Sequence, residues 1–587
     1  MSLLEKIIPS ITWIKSYKKS HFKGDLSAGL TVGIMLIPQG MAYAMIAGLP
    51  PVYGLYASLV PIFIYAFLGT SRQLSVGPVA MDSLFVAATV SVMAVHGTER
   101  YIELAILLAL MIGALQLIFG LVRLGFLVNF LSKPVIIGFT TAASLIIACN
   151  QLGYLMGIDL PKNNQLHILI SDLYKMIGDF HPATFIFGLI GIAFVLVSKN
   201  IRKKFPAALV LVVLGTIAVA VFHLDQVGIG IGIVKEVPSG LPDFQVPAFS
   251  REDFMALLPA ALALSLIAFM EAITISKAIE EKKGTQEVNA NKELIALGSS
   301  NFIGSFFSSY PVTGGFSRTA VNNDSGAKTP LAGLISGIVI LAALLFLTDL
   351  FYFLPKVLLA VIILVAVLGL IDLRSPKVWW RTDKIEFLMY AVTLVATATI
   401  GIQEGIFIGV ILSLVILIYA VSNPHMAVVG KIPGTNLYRN VERFEDVELD
   451  PAVMIIRFDA RLFYANADYF RDKLLEYERA KVASNPDQAE LKAIIVDASG
   501  INSIDSSALY MIRKLMLYYK KRKIQLLFSG LKGPVRDKFN QNRIYTELGE
   551  EFFFVNIEDA EKYLRGEKSA ENSSVARQSN FMLRTKR

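Results

Sequence analysis

Long apolar runs follow one another along this chain up to Pro424, and charge returns densely only after Val428. That pattern predicts a membrane part followed by a soluble part. A helix needs about 20 apolar residues to cross a bilayer, and shorter ones suffice where they meet inside protein rather than lipid. The runs predict spans near 26–46, 52–68, 78–95, 102–119, 125–148, 183–198 and 206–222. A second set follows near 254–279, 293–307, 315–326, 330–348, 352–370, 385–400 and 403–421. The reading is about fourteen spans in two sets of seven.

Composition agrees with the pattern. The 587 residues are 54% hydrophobic and 17% charged, with a mean hydropathy of +0.57, which excludes an ordinary soluble protein. Cys149 is the one cysteine, so disulfide frameworks and thiolate metal clusters are excluded. His21, His96, His167, His181, His223 and His425 show no metal-ligand spacing, so no metal and no cofactor is expected. The N-terminal segment 1–23 lacks a cleavable apolar core and is expected to stay attached on the cytoplasmic side.

A pI near 9.1 raises nucleic acid as a partner, but the basic residues cluster in short loops between apolar runs. With the N-terminus in the cytoplasm, Arg72, Arg123, Lys199, Arg202, Lys203, Lys204, Lys282, Lys283, Lys328, Arg374, Lys377, Arg381 and Lys384 all fall inside. Only Arg100, Lys162, Lys175, Lys235, Arg251 and Lys356 fall outside. The excess charge therefore reports topology, with both ends cytoplasmic in a cell inner (plasma) membrane, and nucleic acid is not expected.

The third member of each set is interrupted. The segment from Pro78 follows RQLSVGP, and the segment from Phe316 follows SSYPVTGGFSR, both short, polar and rich in glycine. Two interrupted spans at corresponding positions of two halves point to a midplane substrate site in an inverted-repeat transporter. A helix that starts inside the membrane presents unpaired N–H groups and the positive end of its dipole, which attract an anion. Gly77 lets backbone approach a ligand closely, and Pro78 suits a first helical turn. Gly314 and Gly315 play the same part in the second half, where Ser317 adds a hydroxyl and Arg318 a full positive charge. Helix kinking by the same glycines and prolines is the alternative, and the intramembrane arginine favours a site.

The stretches GDLSAGLTVGIMLIPQGMAYAMIAGLPPVYGLYAS (24–58), GTSRQLSVGP (69–78) and GGFSRTAVNNDSGAKTPLAG (314–333) resemble the SulP family of sulfate permeases, the solute carrier family 26 of animals. The resemblance runs to about residue 565. It implies a polytopic α-helical membrane fold, a seven-plus-seven inverted repeat divided into core and gate domains, with the anion between the starts of spans three and ten. It also places Gln39, Tyr43, Val79, Ala80, Phe316, Ser317 and Arg318 around that anion. Animal members tend to have an aromatic ring where this chain has Val79, so selectivity does not carry over.

Glu271 lies well inside the apolar run LIAFMEAITISKAI. A buried carboxylate is costly when charged, so it takes a proton or a partner. Glu271 is therefore expected to carry a coupling proton, with pairing to Arg318 or Lys277 as the structural alternative. The resemblance places Glu271 on span eight near the anion, and Thr274, one turn on, opens a sodium site instead. Asp82, a turn into the third span, has no evident partner in the sequence.

From about 437 the pattern becomes VMIIRF, NADYFRDKLLEYERAK, LKAIIVDASG, SSALYMIRKLMLYYKKR and KIQLLFSG, which predicts a small α/β domain. It has neither a phosphate loop nor a nucleophile elbow, and no enzyme is expected. The stretch resembles the STAS domain that follows SulP transporters, and DASGINSIDSSAL places Ser506 where anti-sigma-factor antagonists are phosphorylated. Asp505 and Ser506 also suit an ordinary helix N-cap. Expected boundaries are 24–424 for anion transport, 437–566 for the cytoplasmic STAS domain and 567–587 for a disordered tail.

The expected function is secondary active transport of a small inorganic anion, sulfate by proton symport, in a homodimer. Bicarbonate with sodium, a dicarboxylate with protons, an anion exchanger or channel, and a membrane sensor without flux are the alternatives.

Overall fold

The computed structural model describes residues 10–126, 132–161, 163–201, 207–226, 230–235, 238–283, 288–484, 490–544, 547, 549 and 552–567. The expected tail, most of the N-terminal segment's first half and the basic cluster Arg202, Lys203 and Lys204 lie outside these.

The first half carries α1 (Ser10–Lys15), α2 (Lys19–Ile46), α3 (Val52–Tyr56), α4 (Val60–Leu68), the two-residue strand β1 (Val76–Gly77), α5 (Ala80–Val90) and α6 (Glu99–Leu121). It continues through α7 (Lys133–Met156), α8 (Leu166–Met176), α9 (Pro182–Ile201) and α10 (Ala207–Phe222). The second half runs α11 (Arg251–Lys283), α12 (Ala290–Ser305), β2 (Thr313–Gly314), α13 (Phe316–Asp324), α14 (Leu331–Phe346) and α15 (Lys356–Leu368). It closes with α16 (Arg374–Thr382), α17 (Lys384–Thr399) and α18 (Ile402–Ser422).

Five of these helices, α2, α6, α7, α11 and α18, are long and apolar enough to cross a membrane on their own. Shorter apolar helices stand at α3 with α4, α5, α9, α10, α14 and α15. Ile186 and Ile190 on α9, Leu214 and Ile217 on α10, and Ile411 and Ile418 on α18 are each more than half exposed, as a lipid-facing surface requires. Two packing groups result. In one, α12 lies along α6 and α4, and α14 along α2; in the other, α15 and α17 lie along α7.

Several expected spans shift. The fifth was expected at 125–148 but is Lys133–Met156: Pro134 occupies the first turn, where its missing N–H costs nothing, and Gly157 at φ 69° closes the helix left-handed. The second is broken between Tyr56 and Val60, just before Pro61. The third starts at Ala80 with Val79 as N-cap, so Pro78 precedes the helix. Helices α8 and α16 fall in stretches expected as loops.

The C-terminal unit has its own apolar core and a six-stranded sheet ordered β4-β3-β5-β6-β7-β8. Its strands are β3 (Met426–Lys431), β4 (Tyr438–Asn440), β5 (Val453–Phe458), β6 (Ala493–Asp497), β7 (Gln525–Ser529) and β8 (Phe553–Phe554). The last four run parallel, while β3 is antiparallel to both β4 and β5. Helices α19 (Ala467–Ser484), α20 (Ser506–Lys521), α21 (Gly533–Gln541) and α22 (Ile557–Leu564) intervene or follow. The sheet starts ahead of the 437 expected. Asp505 caps α20, its Oδ1 accepting from Ala508 N at 2.9 Å, and Ser506 is exposed as the first helical residue.

Candidate functional site

The two interrupted segments meet. Val76 pairs with Gly314 and Gly77 with Thr313 in an antiparallel register, and Gly315 N donates to Ser75 O at 3.0 Å. Chain segments far apart in sequence thus set α5 and α13 against each other at their N-termini. Among the described residues, no side chain caps either start, so the first-turn amides remain available.

Polar side chains hold this crossing. Asn301 clamps Val312 from both sides, accepting from its N at 2.8 Å and donating to its O at 3.0 Å. The Thr313 hydroxyl donates to Ala268 O at 2.6 Å, which ties β2 to α11. Thr319 Oγ1 accepts from Ser75 N at 3.0 Å, and Asn322 donates to Gln73 O at 2.9 Å. Buried Glu293 accepts from Tyr65 OH at 2.8 Å, Thr70 N at 2.7 Å, Ser71 N at 3.0 Å and the Thr70 hydroxyl. These residues were missed in the sequence, because each pairs with backbone of a distant segment and carries no local signal of that partner.

Arg318 is 1% exposed and donates from Nη1 to Pro78 O at 2.7 Å, bridging the two halves. Its Nε and Nη2 have no hydrogen-bond partner among the described residues. A Cβ on Gly315 would lie 2.7 Å from Arg318 Cζ and Nη2, so only glycine leaves the guanidinium its place. Gly77, at φ 156°, sits on the other side, where a Cβ would be 3.4 Å from Nη2.

Around this arginine the structure gathers most of the expected residues. Gln39 and Tyr43 are buried on one face of α2, with Gln39 Oε1 unpartnered among the described residues, and the Tyr43 phenol lies within electrostatic reach of Arg318 and Glu271. Val79 and Ala80 are buried at the start of α5. Phe316 is 60% exposed and Ser317 is exposed, so the start of α13 is open on that side. Glu271 reaches the cluster from α11 with Oε2 buried and unpartnered among the described residues, near both Arg318 and Asp82. Thr274, one turn further, is exposed. The unpartnered nitrogens of Arg318 lie beside two helix N-termini, an arrangement suited to an anion.

A sequence model of the sulfate permease family matches residues 22–393, and one of the STAS domain matches residues 445–560. The chain is 40% identical over 569 residues to sulfate transporter 4.1, chloroplastic, of Arabidopsis thaliana, covering 95% of this chain and 82% of that one. It is 32% identical over 576 residues to high affinity sulfate transporter 2 of Stylosanthes hamata, covering 95% and 86%. Among solved structures, that of SLC26A9 superposes with a TM-score of 0.88 at 25% identity over 96% of this chain and 93% of that one. The transmembrane domain of a cyanobacterium bicarbonate transporter, BicA, gives 0.58 at 25% identity over 68% and 98%.

Proposed function

Since the chain belongs to the sulfate permease family, we propose that it carries sulfate or a similar small oxyanion across a membrane by symport with protons. The anion sits between the starts of α5 and α13, contacting Gly77, Val79, Ala80, Gly315, Phe316, Ser317 and Arg318, with Gln39 and Tyr43 as the opposite wall. Arg318 supports this reading most directly: a buried cation whose Nε and Nη2 find no partner among the described residues favours an anionic one. Glu271 takes the coupling proton, because a second buried negative charge beside the anion is otherwise uncompensated. The relatives' names support the anion. Basic residues on one side support cytoplasmic termini, and a plasma-membrane location and a homodimer are proposed with them.

The likeness to a bicarbonate transporter's transmembrane domain favours a second reading, bicarbonate with sodium held by Glu271 and Thr274. Purified protein in proteoliposomes separates the two. Radiolabelled sulfate, bicarbonate and fumarate are offered under imposed proton or sodium gradients. Proton-driven sulfate accumulation that falls in Glu271→Gln, with anion binding retained, is expected. Accumulation driven by sodium alone, or unchanged pH-driven uptake in Glu271→Gln, sinks the proposal.

A further inference from the structure

We propose that Asp82 is a second proton carrier, so that two protons accompany each divalent oxyanion; this rests on the reading of Glu271 as the first. Asp82 lies in the first turn of α5, fully buried, and neither carboxylate oxygen has a hydrogen-bond partner among the described residues. Glu271 Oε2 is likewise unpartnered, and the charge on Asp82 reaches it. The groups facing Asp82 are Glu271 from α11 and Tyr310 from the stretch before β2, whose hydroxyl lies 3.2 Å from Ser83 Oγ. Arg318 faces Glu271, Tyr43 and Tyr310, and its hydrogen bond goes to the Pro78 carbonyl rather than to either carboxylate. When an anion arrives beside it, a carboxylate so enclosed has one inexpensive compensation, a proton.

The position of Asp82 links that proton to the anion. Ionised in the first turn of α5, it opposes the positive helix end on which the anion is to rest; protonated, it leaves that end free. Net charge gives the same answer. With both carboxylates ionised and Arg318 cationic, the empty site carries a single negative charge. A divalent anion arriving with one proton doubles it, whereas one arriving with two protons restores it. Loaded and empty carriers then cross the low-dielectric interior with equal charge. Each proton leaves water for a carboxylate oxygen on one side and returns to water on the other, and no other bond forms or breaks.

The test is the sulfate gradient sustained at equilibrium in proteoliposomes clamped at zero membrane potential. A tenfold proton gradient should hold about a hundredfold sulfate gradient in the wild type and about a tenfold one in Asp82→Asn, since each coupled proton contributes one factor of ten. An imposed potential should leave the wild-type ratio unchanged and shift that of the variant. A tenfold wild-type ratio, or a hundredfold ratio in Asp82→Asn, overturns the second carrier and leaves Glu271 intact. A wild type that accumulates no sulfate on a proton gradient overturns both. Should Asp82→Asn fail to fold, proton uptake on sulfate binding by Glu271→Gln in weakly buffered detergent solution decides: about one proton per anion supports Asp82, and none overturns it.

Discussion

Arg318 Nη1 donates to the carbonyl oxygen of Pro78 at 2.7 Å, across a sequence separation of 240 residues. One side chain thereby joins the start of α13 to the backbone just ahead of α5, and keeps Nε and Nη2 for the space between them.

Removing that side chain tests its part in binding. A charge-assisted contact contributes about 1.5–3 kcal/mol, so Arg318→Ala should weaken anion binding by roughly tenfold to a hundredfold. Two helix ends remain, each equivalent to about half a positive charge, so the site weakens without vanishing. Arg318→Lys should recover part of the loss, since it keeps the charge but not the planar fork. Equilibrium titration of the purified variants reads all three, and an unaltered affinity in Arg318→Ala removes the residue from the site.

Gly315→Ala tests the same contact without touching the charge. The added Cβ, 2.7 Å from Arg318 Cζ, displaces the guanidinium or the first turn of α13 that carries it. Anion affinity should fall nearly as far as in Arg318→Ala, while the melting temperature changes little. Wild-type affinity in Gly315→Ala shows that the placement of the guanidinium is not limiting.

Glu293 anchors the stretch that leads into β1. Glu293→Ala leaves the Tyr65 hydroxyl and the Thr70 and Ser71 amides without their acceptor in a buried setting. Each unpaired buried donor costs about 1–3 kcal/mol, so a clear loss of thermal stability in detergent is expected, with sulfate protecting the variant less than the wild type. Equal melting temperatures contradict this anchoring role.

In the C-terminal unit the Tyr519 hydroxyl donates to buried Glu478 at 2.9 Å, and Arg522 holds the other carboxylate oxygen. Burial first, then Glu478, pushes the phenol above its ordinary pKa of 10.0. A raised folded pKa contributes stability that is complete below the unfolded value and is lost as pH rises beyond it. The wild-type unit should therefore lose stability as pH climbs above about 10, whereas Tyr519→Phe should show a flatter alkaline limb from a lower neutral starting point. Unfolding followed by circular dichroism against pH compares the two, and parallel alkaline limbs contradict the assignment.

Much of this was readable in the chain because lipid is so restrictive a solvent. Backbone groups in hydrocarbon must pair within a helix, so apolar length alone located most spans, and the two polar interruptions stood out at Gly77 and Gly315. Arg318 was legible for the same reason. The fifth span was misplaced because the apolar residues before Pro134 carry no period that distinguishes them from a helix start; the turn preference of proline decided the boundary. Asn301, Thr313 and Glu293 escaped notice because their work is to pair with backbone from another segment, and no local pattern announces a long-range partner. Asp82 was visible as an oddity, but its proximity to Glu271 exists only once α5 and α11 are packed.

The strand pairing of Val76–Gly77 with Thr313–Gly314 also fixes a moment in the life of each molecule. At about 5–20 residues per second, the ribosome needs roughly 10–50 seconds to travel from Pro78 to Arg318. Throughout that interval the first half sits in the bilayer with the carbonyls and amides of its short strand lacking the partners they will finally have. Whatever accompanies the nascent chain, water in the insertion machinery or a neighbouring segment, must serve those groups meanwhile. A chain interrupted before residue 313 has the first half of the proposed site and lacks β2, α13 and Arg318, which form the other half.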